Sequence, residues 1–190
     1  MEKIQKYIFV IFFFLASFFC LFSCESAPKN LELKKFLGRE LWTCTNLRIF
    51  ENNSILWQNY GHGKILPLGT SVRMIEGNLD VVSFVDNNSN EYKLYWRRDV
   101  KSQWEEEMPK YFSKENPEEK IQSMEETWKN YVFGGTIQKG MSREMVLLSR
   151  GYPVLPEEYK KEDIWVYYED QNKKSMVYFE NDAVVQVVNL

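Results

Sequence analysis

Histidine is almost missing from this chain: His62 is the single one among 190 residues. Cysteine is scarce too, with only Cys20, Cys24 and Cys44, and neither type occurs after position 62. A zinc site needs several Cys or His ligands, so it is excluded on count. A nucleophile–base pair can be written only as Cys44 with His62. Yet Cys44 lies in the strand-like run Leu41-Trp42-Thr43-Cys44-Thr45, and His62 lies in a loop between Gly61 and Gly63. Nothing nominates a third group to orient them, so Cys44 reads as a small buried hydrophobe. A Gly-rich phosphate loop is lacking as well, since Gly61-x-Gly63 alone has no such pattern. The net charge is only -3 and both signs are interspersed, which argues against a nucleic-acid partner. Glu105-Glu106-Glu107, Glu118-Glu119 and Glu125-Glu126 read as solvated helix faces. Nothing selects a carboxylate pair among them for glycosidic chemistry. No cofactor and no metal is called for, and the chain reads as non-catalytic.

Long apolar runs are lacking except at the start. Lys3 and Lys6 precede Ile8-Phe9-Val10-Ile11-Phe12-Phe13-Phe14-Leu15-Ala16, and the run continues through Phe18 to Phe22. Hydrophobicity stops at Glu25, Ser26 and Pro28. A basic end, an apolar middle and a small residue at the cut make a secretory signal peptide over 1–23. At about 15 residues the run is short of the roughly 20 that cross a bilayer as a permanent helix. Its end, Leu21-Phe22-Ser23-Cys24, resembles the lipobox of bacterial lipoproteins. Leu21 takes the aliphatic position, Ser23 the small one and Cys24 the acceptor, whereas Phe22 stands where a smaller residue is commoner. The resemblance implies a diacylglyceryl group on the Cys24 thiol and cleavage just before it. It also implies a lipid-anchored protein of the bacterial envelope; Glu25 and Ser26 after Cys24 leave open which membrane. The bland alternative is an uncleaved signal anchor with ordinary apolar cysteines. Residues 24–38 then form a lipidated polar tether.

About 165 residues follow the cut, enough for one ordinary domain or two small ones. With Cys20 removed and Cys24 lipidated, Cys44 is left without an intramolecular partner. Over 39–100 the signals are those of strands. Ile55-Leu56-Trp57, Ser71 to Ile75, Val81 to Val85 and Tyr92 to Trp96 are rich in β-branched and aromatic residues, with Asn/Ser/Gly clusters between them. Five or six short strands predict a small closed or nearly closed barrel. Residues 101–116 read as a linker with a short helix, opened by Ser102-x-x-Glu105 and cut by Pro109. Asn116-Pro117-Glu118-Glu119 starts an amphipathic helix over 117–132, with Ile121, Met124, Trp128 and Tyr131 on one face and Gly134-Gly135 as its stop. A second helix runs from the N-cap Ser142 to Gly151 and Pro153. Strands follow at Asp163 to Tyr168, Ser175 to Glu180 and Ala183 to Asn189, the last two joined by a tight turn at Glu180-Asn181-Asp182.

The pattern of Gly140-Met141-Ser142, Val146, Gly151-x-Pro153, Trp165-x-Tyr167, Val177-x-Phe179 and Val184-x-x-Val187 resembles the BamE (SmpA/OmlA) family of small outer-membrane lipoproteins. The same α-α-β-β-β unit recurs in β-lactamase inhibitor proteins. Ser149-Arg150 departs from the pattern, because more aliphatic residues usually precede that Gly. Asn46-Leu47-Arg48, Asn59-Tyr60, Gly63 and Leu66-Pro67-x-Gly69-Thr70-x-Val72 resemble a bacterial SH3-like barrel. Together the resemblances imply an α+β fold: a small SH3-like β-barrel over 39–100, followed by an α-α-β-β-β two-layer sandwich over 117–190 that folds on its own. They imply Trp165 at the helix–sheet core with Tyr167 beside it, the rival being an exposed Trp165 that anchors a partner. They also imply a role in envelope protein–protein interaction or outer-membrane assembly. A cell-wall or glycan-binding module built on the barrel, and an inhibitor-type surface protein, are the alternatives. The membrane, through the lipid, and unidentified envelope proteins are the implied partners. The oligomeric state is left open.

Overall fold

The computed structural model describes residues 35–78, 80–96, 104–154 and 163–190. The leader 1–23, Cys24, the tether up to residue 34, and Ser102 lie outside them.

The first part is a sheet that curls on itself. Its strands are β1 (Glu40–Thr43), β2 (Leu47–Ile49), β3 (Ser54–Leu56), β4 (Lys64–Leu66), β5 (Ser71–Gly77), β6 (Val81–Asp86), β7 (Glu91–Tyr95) and β8 (Phe112–Ser113). They lie in the order β4-β2-β3-β7-β6-β5-β1-β8. Every pairing is antiparallel except β3 with β7. The side-chain period of two builds the core. In β7, Tyr92 and Leu94 point inward while Glu91, Lys93 and Tyr95 are exposed. In β5, Val72 and Met74 do the same against Arg73 and Ile75. Phe84 stacks on Tyr92 and meets Phe112 edge-on, with ring centroids 5.4 and 5.1 Å apart. The sheet is a half-barrel rather than a closed one, with β4 and β8 left at its two edges.

The boundary expected near residue 100 is crossed by the fold. A single helical turn, α1 (Trp104–Glu107), passes at Pro109 into a 3-10 turn, Met108–Lys110. β8 follows and pairs with β1, Trp42 facing Ser113 and Thr43 facing Phe112. Met108, Tyr111 and Phe112 are buried in the half-barrel's core. The stretch read as a linker thus supplies the apolar side chains that fill one end of the curl.

The amphipathic stretch from residue 117 is two helices, α2 (Glu118–Gln122) and α3 (Glu126–Gly134), not one. Glu125 leaves helical space, with φ -61° and ψ 147°. Its carbonyl then accepts from the N–H groups of Trp128 and Lys129, starting α3 afresh. Helical spacing on one face therefore did not guarantee one axis. The break lets Ile121 and Val132 enter the same core from two directions. Asn116 accepts from the Glu118 N–H at 3.0 Å, as its capping position predicts. α3 stops at Gly135, which adopts φ +65°.

α4 (Arg143–Arg150) begins at Ser142, whose Oγ accepts from the Met145 N–H at 3.2 Å. The strands β9 (Ile164–Tyr168), β10 (Lys174–Glu180) and β11 (Ala183–Asn189) form an antiparallel sheet in the order β11-β10-β9. The β10–β11 turn holds Asn181 and Asp182 at φ +47° and +66°, the two positive values of a type I′ hairpin. The whole is a mixed α/β protein, with helices beside a curled sheet and a second sheet of three strands.

Tyr167, rather than Trp165, fills the core under the helices. It is 1% exposed, and burial pushes its phenol well above the usual range. Trp165 packs at the rim, half-buried, with its ring 4.7 Å from that of Phe179. The Arg143 guanidinium lies 4.3 Å over the Phe179 ring and 5.3 Å from the Trp165 ring. Tyr167→Ala should therefore cost about 3–5 kcal/mol. Trp165→Ala should cost less, about 1–3 kcal/mol. Urea unfolding of the two variants beside the parent checks the order; equal losses would mean that Trp165 is as much core as Tyr167.

Candidate functional site

The polar residues that are both buried and clustered lie where the half-barrel meets the helices. Asn46 is 1% exposed and sits just before β2. Its Nδ2 donates to the Val132 carbonyl at 2.6 Å, in the last turn of α3, and to the Ser149 carbonyl at 3.0 Å, in the last turn of α4. Its Oδ1 accepts from the Leu68 N–H at 3.1 Å. One carboxamide thus bonds two helix-end carbonyls, that of Ser149 and that of Val132, which also accepts from the Gly135 N–H at 3.1 Å. It joins them to the loop between β4 and β5.

Asn59 mirrors it from the loop after β3. Its backbone is left-handed at φ +46°, a conformation Asn tolerates better than most residues. From there Nδ2 donates to the carbonyls of Asn46 at 2.8 Å and Arg150 at 3.0 Å, and Oδ1 accepts from the Arg48 N–H at 2.8 Å. Arg48 reaches the other helix. Its guanidinium donates to the Gly135 carbonyl at 3.1 Å and the Gly63 carbonyl at 3.4 Å. Gly135 suits this place because its φ is positive, and a Cβ on it would push the Arg48 guanidinium off the Gly135 carbonyl.

Arg150, at the end of α4, is 5% exposed. It donates to Glu169 at 3.2 Å and to the Tyr168 carbonyl at 3.3 Å, and its guanidinium lies 5.4 Å over the Tyr167 ring. Glu169 is shared, because the Ser175 hydroxyl also donates to it at 2.7 Å. Burial, then repulsion from Arg150, lowers the Arg48 pKa from its ordinary value, while Glu169 opposes the shift. Two guanidiniums thus lie near one partly exposed carboxylate. The Gly61 N–H donates to the Tyr168 carbonyl at 3.0 Å, and a Cβ on Gly61 would collide with the Glu169 carboxylate.

Over this junction lies an aromatic rim. His62 stacks on Tyr60 at 5.9 Å and 7°, and Phe50 stands edge-on to both. Tyr168 meets Tyr60 edge-on at 6.3 Å, with the Lys174 ammonium 5.1 Å from the Tyr168 ring. His62 Nδ1 lies 2.6 Å from the Glu169 carbonyl oxygen.

Cys44 and His62 have separate surroundings. Cys44 is half-buried rather than buried; its thiol donates to the Pro109 carbonyl at 3.5 Å, and desolvation pushes its pKa up to about 12. At neutral pH it is a thiol and not a thiolate nucleophile. The described residues contain no cluster of three or more His, Cys, Asp or Glu that could hold a metal ion. The acidic residues Glu106, Glu118, Glu119, Glu125 and Glu126 are exposed, as solvated faces should be.

The sequence marks Asn46, Arg48 and Asn59 only by residue type, and periodicity does not show what they bond. Ser149 and Arg150 put polar groups in the last turn of α4, where that turn meets backbone carbonyls of other elements. The Ser149 hydroxyl donates to the Thr136 carbonyl at 2.9 Å.

Asn46→Ala should cost about 2–4 kcal/mol, since each buried group left unsatisfied costs about 1–3 kcal/mol. Asn46→Asp should cost more at neutral pH, because a carboxylate would face two carbonyls with nothing to donate. The excess should shrink as the pH falls and the new carboxyl is protonated. Denaturant unfolding across pH checks both. Cys44, Tyr111 and Tyr167 all have raised pKa values from burial. The folded state therefore keeps protons that the unfolded chain releases, so stability should fall as pH rises above about 9. Ellman's reagent should find Cys44 silent in the native protein at pH 8 and reactive in denaturant.

Compared with known proteins, the chain matches no family model, no curated protein and no solved structure.

Proposed function

We propose that this chain is a membrane-tethered envelope lipoprotein that works by binding other envelope proteins, without catalysing a reaction. The observation that carries the tether is the leader ending in Leu21-Phe22-Ser23-Cys24. A basic end, an apolar run and a small residue before Cys24 suit cleavage and S-acylation, and two or three acyl chains hold a protein stably at a bilayer. The geometry of the junction supports the binding role. Its amide and guanidinium groups are directed at backbone carbonyls and at Glu169, so they brace the two halves of the protein against each other. That is what a rigid presenting scaffold requires. The finer fold reading belongs to the same proposal. Helices followed by a β11-β10-β9 meander favour a BamE-like unit, although α2, α3 and α4 are three helices where the resemblance implies two. The Gly69-Thr70 turn leading into β5 favours an SH3-like half-barrel. The outer membrane is the proposed location.

A second reading, binding of cell-wall glycan, is favoured by the aromatic rim of Phe50, Tyr60, His62 and Tyr168, because aromatic faces suit sugar rings. Co-sedimentation with peptidoglycan, lost in His62→Ala, would support it over the first.

Cys24→Ala should abolish incorporation of a clickable palmitate and leave the protein as an unprocessed precursor or release it from membranes. Label on both forms, or on neither, would refute the anchor. Affinity capture of the tagged wild type from detergent-solubilised envelopes should recover a defined envelope protein. Recovery of none, beside peptidoglycan co-sedimentation, would favour the second reading.

A further inference from the structure

Sheet edges are where a fold exposes unpaired backbone groups, and most edges of this protein are dealt with. β4 is three residues long and carries Lys64. β8 has only two residues. On β9, the Gly61 and Val154 N–H groups donate to the Tyr168 and Val166 carbonyls. β11 is handled only at its start. Gly140 N–H donates to the Val184 carbonyl and Val184 N–H to the Met141 carbonyl, both at 2.8 Å. Ser142 bridges Ala183. Beyond Val184, no backbone group among the described residues bonds the outer flank of β11.

The alternation of an antiparallel ladder says which groups are open. Leu190 exchanges both backbone bonds with Lys174. The register then runs without a shift from Ser175–Asn189 through Val177–Val187 to Tyr178–Gln186. Gln186, Val188 and Leu190 therefore turn their N–H and C=O toward β10, and Val187 and Asn189 turn theirs outward. The segment Ala183-Val184-Val185-Gln186-Val187-Val188-Asn189-Leu190 has no charged side chain and no proline, the usual guards of an exposed edge. Val187 and Leu190 are 36% and 61% exposed.

We infer that β11 pairs antiparallel with β11 of a second copy about a two-fold axis at Val188, joining two three-stranded sheets into one of six. Three observations select this occupant and register. The open groups are self-complementary: with the axis at Val188, Val187 of each copy faces Asn189 of the other, and each such pair exchanges both bonds. An axis at Val187 would instead use Val185, which lies in the bulge between the Phe179 and Tyr178 pairings. It would also drive Leu190 of one copy against Val184 of the other, whose flank is already bonded to Gly140 and Met141. Finally, a strand without charged side chains meets its own copy with no like-charged pair facing across the ladder, the antiparallel arrangement placing each Leu190 opposite Gln186. The contact is short, below the roughly 1,200 Å² of a stable interface. The dimer is therefore weak in dilute solution and favoured where copies are concentrated on a surface.

The test uses the full chain in membranes and again in detergent, so it does not depend on the lipid anchor. At Val188 the two strands form a non-hydrogen-bonded pair with Cα atoms about 4.5 Å apart, within disulfide reach. Val188→Cys should give a homodimer on copper–phenanthroline oxidation, above the background of the wild type. Gln186→Cys lies on the same face but faces Leu190 of the other copy, and should give none. Val187→Pro in the Val188→Cys background removes an outward N–H and leaves the ladder to β10 intact. It should abolish the homodimer with the melting temperature held within a few degrees. Should that variant melt early, Val187→Lys, which keeps the ladder and adds a guarding charge, takes its place. No homodimer from Val188→Cys, equal yields at 186 and 188, or a band that survives both Val187 variants would each overturn the proposal. A cross-linked band at another mass would assign the edge to a different protein and overturn self-pairing.

Discussion

Asn46 occupies a place where no apolar side chain and no charged one would serve. Around it converge a carbonyl from the end of α3, a carbonyl from the end of α4 and the N–H of Leu68. Two acceptors and one donor, all buried, need a group with two donors and one acceptor in a fixed plane. A carboxamide is that group. Without it the Ser149 carbonyl would lose its donor, at a cost of about 1–3 kcal/mol, while the Val132 carbonyl keeps the Gly135 N–H. Asn46 thus helps fix α3 and α4 against the half-barrel, with Asn59 and Arg48 bonding the neighbouring carbonyls of Arg150 and Gly135.

The charges around it point the same way. Arg48 and Arg150 are both buried, and Glu169 alone among the junction residues offers a carboxylate. A buried ion pair is weak evidence of stability, because desolvation offsets most of the attraction. Its consequence here is directional. Arg150 can sit beside Glu169 and over Tyr167 only when β9 lies in register against α4, and Glu169 is also held by Ser175 of β10. A sheet of three strands, which has little core of its own, is thus oriented by polar groups as much as by Val177 and Phe179. Leu68, contributed by the half-barrel side, packs in the same cluster as Ile121, Val132 and Met141. The second unit is therefore not self-contained in its packing, contrary to what its unbroken run of elements suggests.

Local rules were legible in the sequence wherever one residue decides one geometry. Ser142 caps α4, Gly135 ends α3 in the left-handed region, Asn116 caps the helix that follows, and Asn181-Asp182 turns the last hairpin. Runs of β-branched and aromatic residues between Asn/Ser/Gly clusters placed β5, β6 and β7; β5 and β7 alternate, whereas β6 buries Val82, Ser83 and Phe84 in succession. The spacing over 117–132 predicts one helix, and the chain forms two. Ile121, Trp128 and Tyr131 share a helical spacing, but spacing on a face does not reveal whether Glu125 stays helical.

What the sequence determined by itself is local: most of the strands and helices, with their caps and turns. Those follow from steric limits on φ and from side-chain periodicity, which act within a few residues. Only the tertiary structure decided that the stretch around Phe112 completes the half-barrel, that Tyr167 rather than Trp165 is the buried ring, and that Asn46, Asn59 and Arg150 meet. Asn46 and Ser149 are 103 positions apart in the chain. A hydrogen bond across that separation has no periodic signature. It arises because buried backbone carbonyls must find donors, and the nearest donor belongs to another part of the fold.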